Sequence, residues 1–425
     1  MSIFYNHDSN HIQIMVSLSD KREKYLPMNK TKLSRDLKLL LSLFAFRDVS
    51  DLFLGTFFVS FIMHSATNEI VAISGYRLFQ YAATCAGFFL IANWCKRYNK
   101  VTVFALNLVP KIALLLSIVL LETKAVQYVI PLGILYGLCE ALYCLPVNAM
   151  IGEKVHADAM GNFFGTKMAI KYVVKLVVPV VLGFFIDLGS YEQVAAVLLG
   201  LTVIEFLMVC GMRGAKHKSN SPIDFIGFGR CMLRFPIIRQ MFAMEVLRGF
   251  GNGLLGTVIT MYTVYMFHTD LNLGILTTVF AVFAILTARL FGRWGKGQYY
   301  PHFLTVSALI MMGAMAWFVV DTTPLAFIGY NFAYSTAFVI IDQINSVCTF
   351  NLSKSRCVTA NHKIEYFVFR DFALFIGRWV GFVGLMYVGV FGGYQWLRYY
   401  LILITVAMVL VGVIAAKISK GLRGR

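Results

Sequence analysis

The sequence predicts an all-α polytopic membrane protein of about twelve transmembrane helices, arranged as two pseudo-symmetric six-helix bundles with both termini cytoplasmic. Three observations predict it: the composition, a run of twelve apolar stretches, and an internal echo at an offset of about 200 residues. Of 425 residues, 59% are apolar and 14% charged, and mean hydropathy is +0.72, so polar surface is too scarce to cover a water-soluble globule. Thirty-seven Phe and 19 Met against 9 Pro suit long lipid-facing helices rather than the many short turns of a β-barrel, and that class is excluded.

Taken in order, residues 1–36 are polar and mixed in charge, with no short apolar core and no small-residue cleavage site. They read as a cytoplasmic tail rather than a signal peptide. Stretches long and apolar enough to span a bilayer fall at roughly 37–64, 70–95, 101–121, 126–151, 161–187 and 192–213. A second set falls at 238–267, 271–292, 302–320, 324–350, 364–391 and 394–417. The predicted domains are therefore a bundle over 37–213, a cytoplasmic linker at 214–237 holding Lys216, Lys218 and Pro222, a bundle over 238–417 and a tail at 418–425.

The formal charge of +17 would point to nucleic acid in a soluble protein, but here its placement is topological. Of the 38 Lys and Arg, 26 lie in or beside the tails and the loops after even-numbered spans. The opposite loops hold only Lys124. That partition puts both termini inside under the positive-inside rule, and no nucleic-acid partner is expected. The eight cysteines form no CxxC pair, and neither disulfides nor a metal site is expected.

The echo divides the chain in two. Arg47-x3-Asp51-x2-Leu54-Gly55-Thr56 returns as Arg248-x3-Asn252-x2-Leu255-Gly256-Thr257, 201 positions on. Arg97-x-Asn99-Lys100 returns as Arg293-x-Gly295-Lys296, and Gly189-Ser190-Tyr191 as Gly392-Gly393-Tyr394. Parallel repeats of this kind are related by an axis along the membrane normal and hold their site between them near the midplane.

On these residues the chain resembles the major facilitator superfamily over about 37–417. In that family the loop after helix 2, repeated after helix 8, latches the halves on the cytoplasmic side. The resemblance implies that role for Arg97, Lys100, Arg293, Gly295 and Lys296, with Asn99 taking the left-handed turn position usually given to Gly. The motif's acidic residue is replaced by Lys96 and Gly292. The resemblance further implies a secondary active transporter that moves a small solute by alternating access, as a monomer in the plasma or inner membrane and without a cofactor. Val178-Pro179-Val180-Val181-Leu182-Gly183 lacks the dense glycines of drug-proton antiporters. Arg77-x2-Gln80-x3-Thr84 is a faint likeness to sugar-cation symporters, and that activity and a flippase for lipid-linked headgroups are the alternatives.

Charges inside the spans point to the site, since an ionised side chain at helix centre costs about 2.5–3.5 kcal/mol on insertion scales and calls for a partner or water. Lys167, Lys171 and Lys175 recur every fourth residue and share about 80° of one helix face. Arg370 and Arg378 follow Lys167 and Lys175 by 203 positions, so cations recur at pseudo-equivalent places in both halves. With Arg47, Arg248 and Asn252 they are the candidate substrate-binding residues, and they suit a carboxylate or phosphate. The plainer reading has Lys167 snorkelling to the cytoplasmic interface and Lys171 and Lys175 paired with Asp51 and Glu140. Asp51, Glu140, Asp48 and Asp342 are candidates for coupling to a proton, against a reading in which they only lock the bundle by salt bridges. Gly251-Asn252-Gly253-Leu254-Leu255-Gly256 is a formal GxGxxG, but it lies inside a span and reads as close packing or a flexible break. Tyr262, Tyr265, Tyr330, Tyr334 and Trp379 are aromatic candidates for stacking, with packing and interface roles as the alternative. A membrane-bound transferase is disfavoured, for the chain has no HxxxxD, DxD, HExxH, P-loop or GxSxG.

Overall fold

The computed structural model describes residues 35–154, 157–212, 225–294, 299–353 and 363–423, and among them every regular element is a helix. Twelve rods cover the twelve expected spans. Rod α1 is Arg35–Leu52, a π-helical turn over Phe53–Phe57, and Phe58–Ser65; α2 is Glu69–Arg97; α3 is Lys100–Ala105 followed by Leu108–Leu121. After a 3-10 turn at Glu122–Tyr128 come α4 (Val129–Lys154), α5 (Ala157–Leu188) and α6 (Tyr191–Cys210). A short linker helix, Phe225–Met232, leads to α7 (Pro236–Phe267), α8 (Asp270–Trp294) and α9 (Tyr300–Val320). The chain finishes with α10 (Pro324–Ser353), α11 (Lys363–Phe391) and α12 (Gly393–Arg423).

The ends follow from local chemistry. Asn68 and Ser190 cap α2 and α6 by accepting from Val71 N at 3.2 Å and Gln193 N at 3.4 Å, and Pro236 opens α7 where no donor is needed. Rod α7 closes on His268 in the left-handed region, φ 59°. Asn99 departs from expectation: its φ is −62°, and its side chain caps α3 by accepting from Val101 N at 3.1 Å. An orphan amide at the helix start is met by the carboxamide oxygen, so no left-handed turn is required.

By length and composition, nine helices among the described residues can cross a membrane; one of the nine, Lys100–Ile151, comprises α3 and α4 together. The rods left out, α1 and α7, carry Arg47, Asp48 and Asp51 or Glu245 and Arg248, which interrupt their apolar runs.

Lipid tails are as apolar as Leu, so helices in a bilayer associate by close packing at small residues. Side chains at Gly133 and Gly137 of α4 would strike the carbonyls of Tyr76 and Gln80 on α2. Gly249 of α7 and Gly377 of α11 are pressed in the same way against Leu374 and Val246. Two glycines of the GxGxxG run pack too, Gly251 against Met408 and Gly253 against Arg378, while Gly256 faces open space, and α7 is continuous through them rather than broken. Between the first and last six rods, Gly183 of α5 meets the Asp270 carbonyl and Gly274 of α8 the Pro179 carbonyl. Rods α2 and α11 meet through Gly389 against Ile70 and through Tyr81 and Phe382, whose ring centres are 5.6 Å apart.

The buried apolar side chains divide by depth. At the charge-poor end, one cluster takes Phe57, Phe58, Leu182 and Leu198 from the first six rods and Met261, Leu273, Phe318 and Leu401 from the last six. Nearer the charge-rich end lie separate clusters, one of the last six rods and linker helix, the other of the first six with Val368 of α11.

Candidate functional site

A cavity of about 520 Å3 lies between α1, α5, α7, α8 and α10, inside the range usual for small-molecule sites. One wall bears Asp48 and Asp51 of α1 with Lys171 and Lys175 of α5. The other is uncharged and largely apolar, with Leu273, Phe280 and Phe338 among its residues, and carries polar groups at Thr260 and Thr263 of α7, Thr277 of α8 and Asn331, Tyr334 and Ser335 of α10.

Arg47 decides which of the acids are engaged. It is 3% exposed, its Nε lies 2.8 Å from Asp51 one turn on, its Nη2 pairs with Glu140 of α4, and Tyr143 lies under it at 4.6 Å. It also donates from Nη1 to Cys139 Sγ at 3.1 Å, and Tyr136 OH donates to Asp51 at 3.4 Å. The plainer expectation, lysines paired with Asp51 and Glu140, does not hold: Arg47 takes both acids with one planar fork, a geometry that a lysine ammonium lacks. The second half repeats the device, with Arg248 of α7 bound to Asp342 of α10 at 2.6 Å and to Glu245 at 3.2 Å. Glu245 further accepts from Thr349 at 2.8 Å.

Lys171 and Lys175 are left free by this arrangement. Among the described residues neither forms an ion pair, although Asp48 lies within electrostatic reach of both and Asp342 within reach of Lys175. Lys167 stays outside the cavity lining, its ammonium 4.2 Å over the ring of Phe44. The other expected cations do not gather with them. Arg370 pairs with its neighbour Asp371 at 2.6 Å, and Arg378 lies at the α2–α11 contact with its guanidinium 4.4 Å over Tyr81. Asn252 is half-buried in α7, outside the cavity lining. Of the aromatic candidates Tyr334 lines the cavity, Tyr262 and Tyr330 are core, Tyr265 stacks on Tyr394 at 4.2 Å and Trp379 is exposed. Of the latch residues Arg97 is exposed at the end of α2, Lys100 is buried and Arg293 lies in the last turn of α8, while Gly295 and Lys296 lie outside the described residues.

The structure gives a role to two groups that the sequence reading left without one. Arg77 of α2 donates from Nη2 to the Gly55 carbonyl within the π turn and from Nη1 to Gln80 Oε1 at 2.9 Å. Its signal was the Arg77-x2-Gln80-x3-Thr84 spacing, which puts three polar groups on one face. At the charge-poor end, Asp187 of α5 accepts from the Asp270 and Leu271 amides, each at 3.1 Å, and so caps α8. Tyr191 OH donates to Asp270 at 2.5 Å, and His64 Nε2 lies 3.9 Å from the same carboxylate. An acid at the end of one helix and another at the start of a later one carry no sequence mark that they meet.

No family model matches the chain, and no curated protein matches it in sequence. Solved structures do match in fold. A bacterial metal transporter aligns with a TM-score of 0.55 and 14% identity over 91% of this chain and 99% of its own. A bacterial homologue of the iron transporter ferroportin aligns in its inward-facing state with a TM-score of 0.61 and 13% identity, over 91% of this chain and 98% of its own. The outward-facing state with soaked iron gives 0.63 and 14%, over 91% and 100%. These likenesses show the fold alone: this chain shares the all-helical, multi-pass architecture of those solved structures.

Proposed function

We propose that this chain is a secondary transporter that carries a small anionic solute through the cavity between residues 37–213 and 238–417 by alternating access. The observation that carries the reading is the pair Lys171 and Lys175, which line the cavity and form no ion pair among the described residues while Arg47 occupies Asp51 and Glu140. Two ammonium groups in a partly desolvated cleft are costly without a counter-charge, and one Asp48 carboxylate does not neutralise both. A bound anion supplies the missing charge. Residues 214–237 join the two halves, and the positive-inside rule puts that linker and both termini in the cytoplasm of a cell with this protein in its plasma or inner membrane. The acids held by Arg47 and Arg248 lock each half, and Asp48, unpaired, is the candidate left for coupling to a proton.

Thermal stabilisation of the purified protein across organic anions, phosphates, sugars and divalent metals tests the reading. An anion that stabilises the wild type should lose about tenfold in affinity in Lys171→Gln or Lys175→Gln, the loss of one charge-assisted contact. Unchanged affinities for every anion in both variants would sink the proposal. The metal-transporting neighbours and the Asp48–Asp51 pair favour a second reading, a divalent cation. In that case Lys→Gln strengthens binding of Mn2+ or Fe2+, and Asp48→Asn abolishes it.

A further inference from the structure

The uncharged wall of the cavity carries more information than its polarity. Thr260 Oγ1 donates to the Gly256 carbonyl at 3.0 Å, Thr263 Oγ1 to Ile259 at 2.9 Å and Ser335 Oγ to Phe332 at 3.0 Å, all along their own helices. Asn331 Nδ2 donates to the Phe327 carbonyl at 3.1 Å. The three hydroxyls have directed their protons into their own helix backbone and have lone pairs left for the cavity, while Asn331 keeps its carboxamide oxygen and one N–H. The wall thus offers acceptors at Thr260, Thr263, Ser335 and Asn331 beside donors at Asn331, Thr277 and Tyr334, a mixture that hydroxyl groups can meet, whereas the lysines opposite can only donate.

What donates to this wall need not be charged. The acids of the second half nearest to it, Asp342 and Glu245, are bound by Arg248 and are not part of the lining. The carboxylates that do line the cavity, Asp48 and Asp51, stand on the lysine side. An ammonium group at the far wall would meet only neutral oxygens; hydroxyl groups match them without a desolvated charge. We propose that the cavity takes a polyhydroxylated organic anion, its anionic end at Lys171 and Lys175 and its hydroxyls donating to Thr260, Thr263, Asn331 and Ser335. This rests on the reading of the cavity as the solute site and adds the second half of the recognition.

Matched ligands separate the two halves, with binding read as thermal stabilisation of the purified full-length protein. Gluconate and hexanoate share charge and chain length but differ in hydroxyls, 6-aminohexanoate places an ammonium at the far end, and glucose has hydroxyls without charge. Glucose 6-phosphate against gluconate tells a phosphate head from a carboxylate. Gluconate or glucose 6-phosphate should bind at least about tenfold more tightly than hexanoate, 6-aminohexanoate and glucose, the effect of one or two hydrogen bonds made or left unmade. Asn331→Leu and Thr263→Val should erase the preference over hexanoate and leave hexanoate itself unaffected. Hexanoate binding as tightly as gluconate overturns the hydroxyl assignment and leaves the anion site standing, as does preference for 6-aminohexanoate. Glucose binding as tightly as gluconate, or no response to any anion, overturns the anion reading beneath it. The wild-type comparison needs no variant, so a variant that fails to fold does not weaken the test.

Discussion

Arg47 shows what one side chain settles. A guanidinium that meets acids on its own helix and on α4 fixes the rotation of α1 against α4, and Arg248 fixes α7 against α10 in the same way. The participants were legible in the sequence as charges inside apolar spans. Their pairing was not, because Lys171 and Lys175 satisfy the same Coulomb requirement and only the packing of α1, α4 and α5 decides between them. Lys111 of α3 and Glu205 of α6 form a second kind of pair, 2.5 Å apart and nearly sealed, with side-chain exposures of 1% and 7%. Breaking one partner leaves a buried charge, so Lys111→Met should destabilise the protein by roughly 3–5 kcal/mol, while Lys111→Met with Glu205→Leu should recover most of the loss. Additive losses in thermal or denaturant unfolding of the three variants would show that the pair contributes nothing as a pair.

At the scale of elements, hydropathy found all twelve rods to within a few residues, because bilayer thickness demands a fixed apolar length. It missed the interruptions, since neither the break in α3 at Leu106–Asn107 nor the π turn in α1 changes the apolar content. Glycines mark how the rods meet. Gly137 faces backbone, the Gln80 carbonyl of α2, which cannot yield, whereas a Cβ on Gly256 meets nothing within 4 Å. Gly137→Ala should therefore cost about 1–3 kcal/mol or more by overpacking, and Gly256→Ala should be neutral or gain up to about 1 kcal/mol from helix propensity. Melting temperatures of the two variants in one detergent check the contrast; equal losses would mean that the α2–α4 contact is not rigid.

For the whole molecule, the echo of about 200 residues announced two halves, and the structure adds where they touch. They share one apolar cluster at the charge-poor end, where Asp187, Tyr191 and Asp270 tie α5 and α6 to the start of α8. Such contacts join residues 79 to 84 positions apart, which no local pattern reports. If the halves rock, this tie must part first. Asp187→Ala removes both acceptors from the α8 amides. With the native cysteines replaced, it should raise labelling of Thr263→Cys by a membrane-impermeant thiol reagent, applied from the charge-poor side, several-fold over the same protein with Asp187 intact. Labelling that does not change would place the seal elsewhere.

The π turn at Phe53–Phe57 gives α1 two masters. Its first segment presents Asp48 and Asp51 to the cavity, and its second buries Phe58, Phe61 and Ile62 in the cluster that both halves share. One extra residue in a helical ring advances the phase of everything beyond it by about 100°. Drawn on a single uninterrupted wheel, Asp48, Asp51, Phe58 and Ile62 fall within about 80° of one face, which could not point to both neighbours at once. The inserted residue supplies the missing rotation, and Arg77 donates to the Gly55 carbonyl within that turn. The charged and sealing segments of one helix are thereby set in phase with different parts of the protein, like two gears keyed at an angle on one shaft.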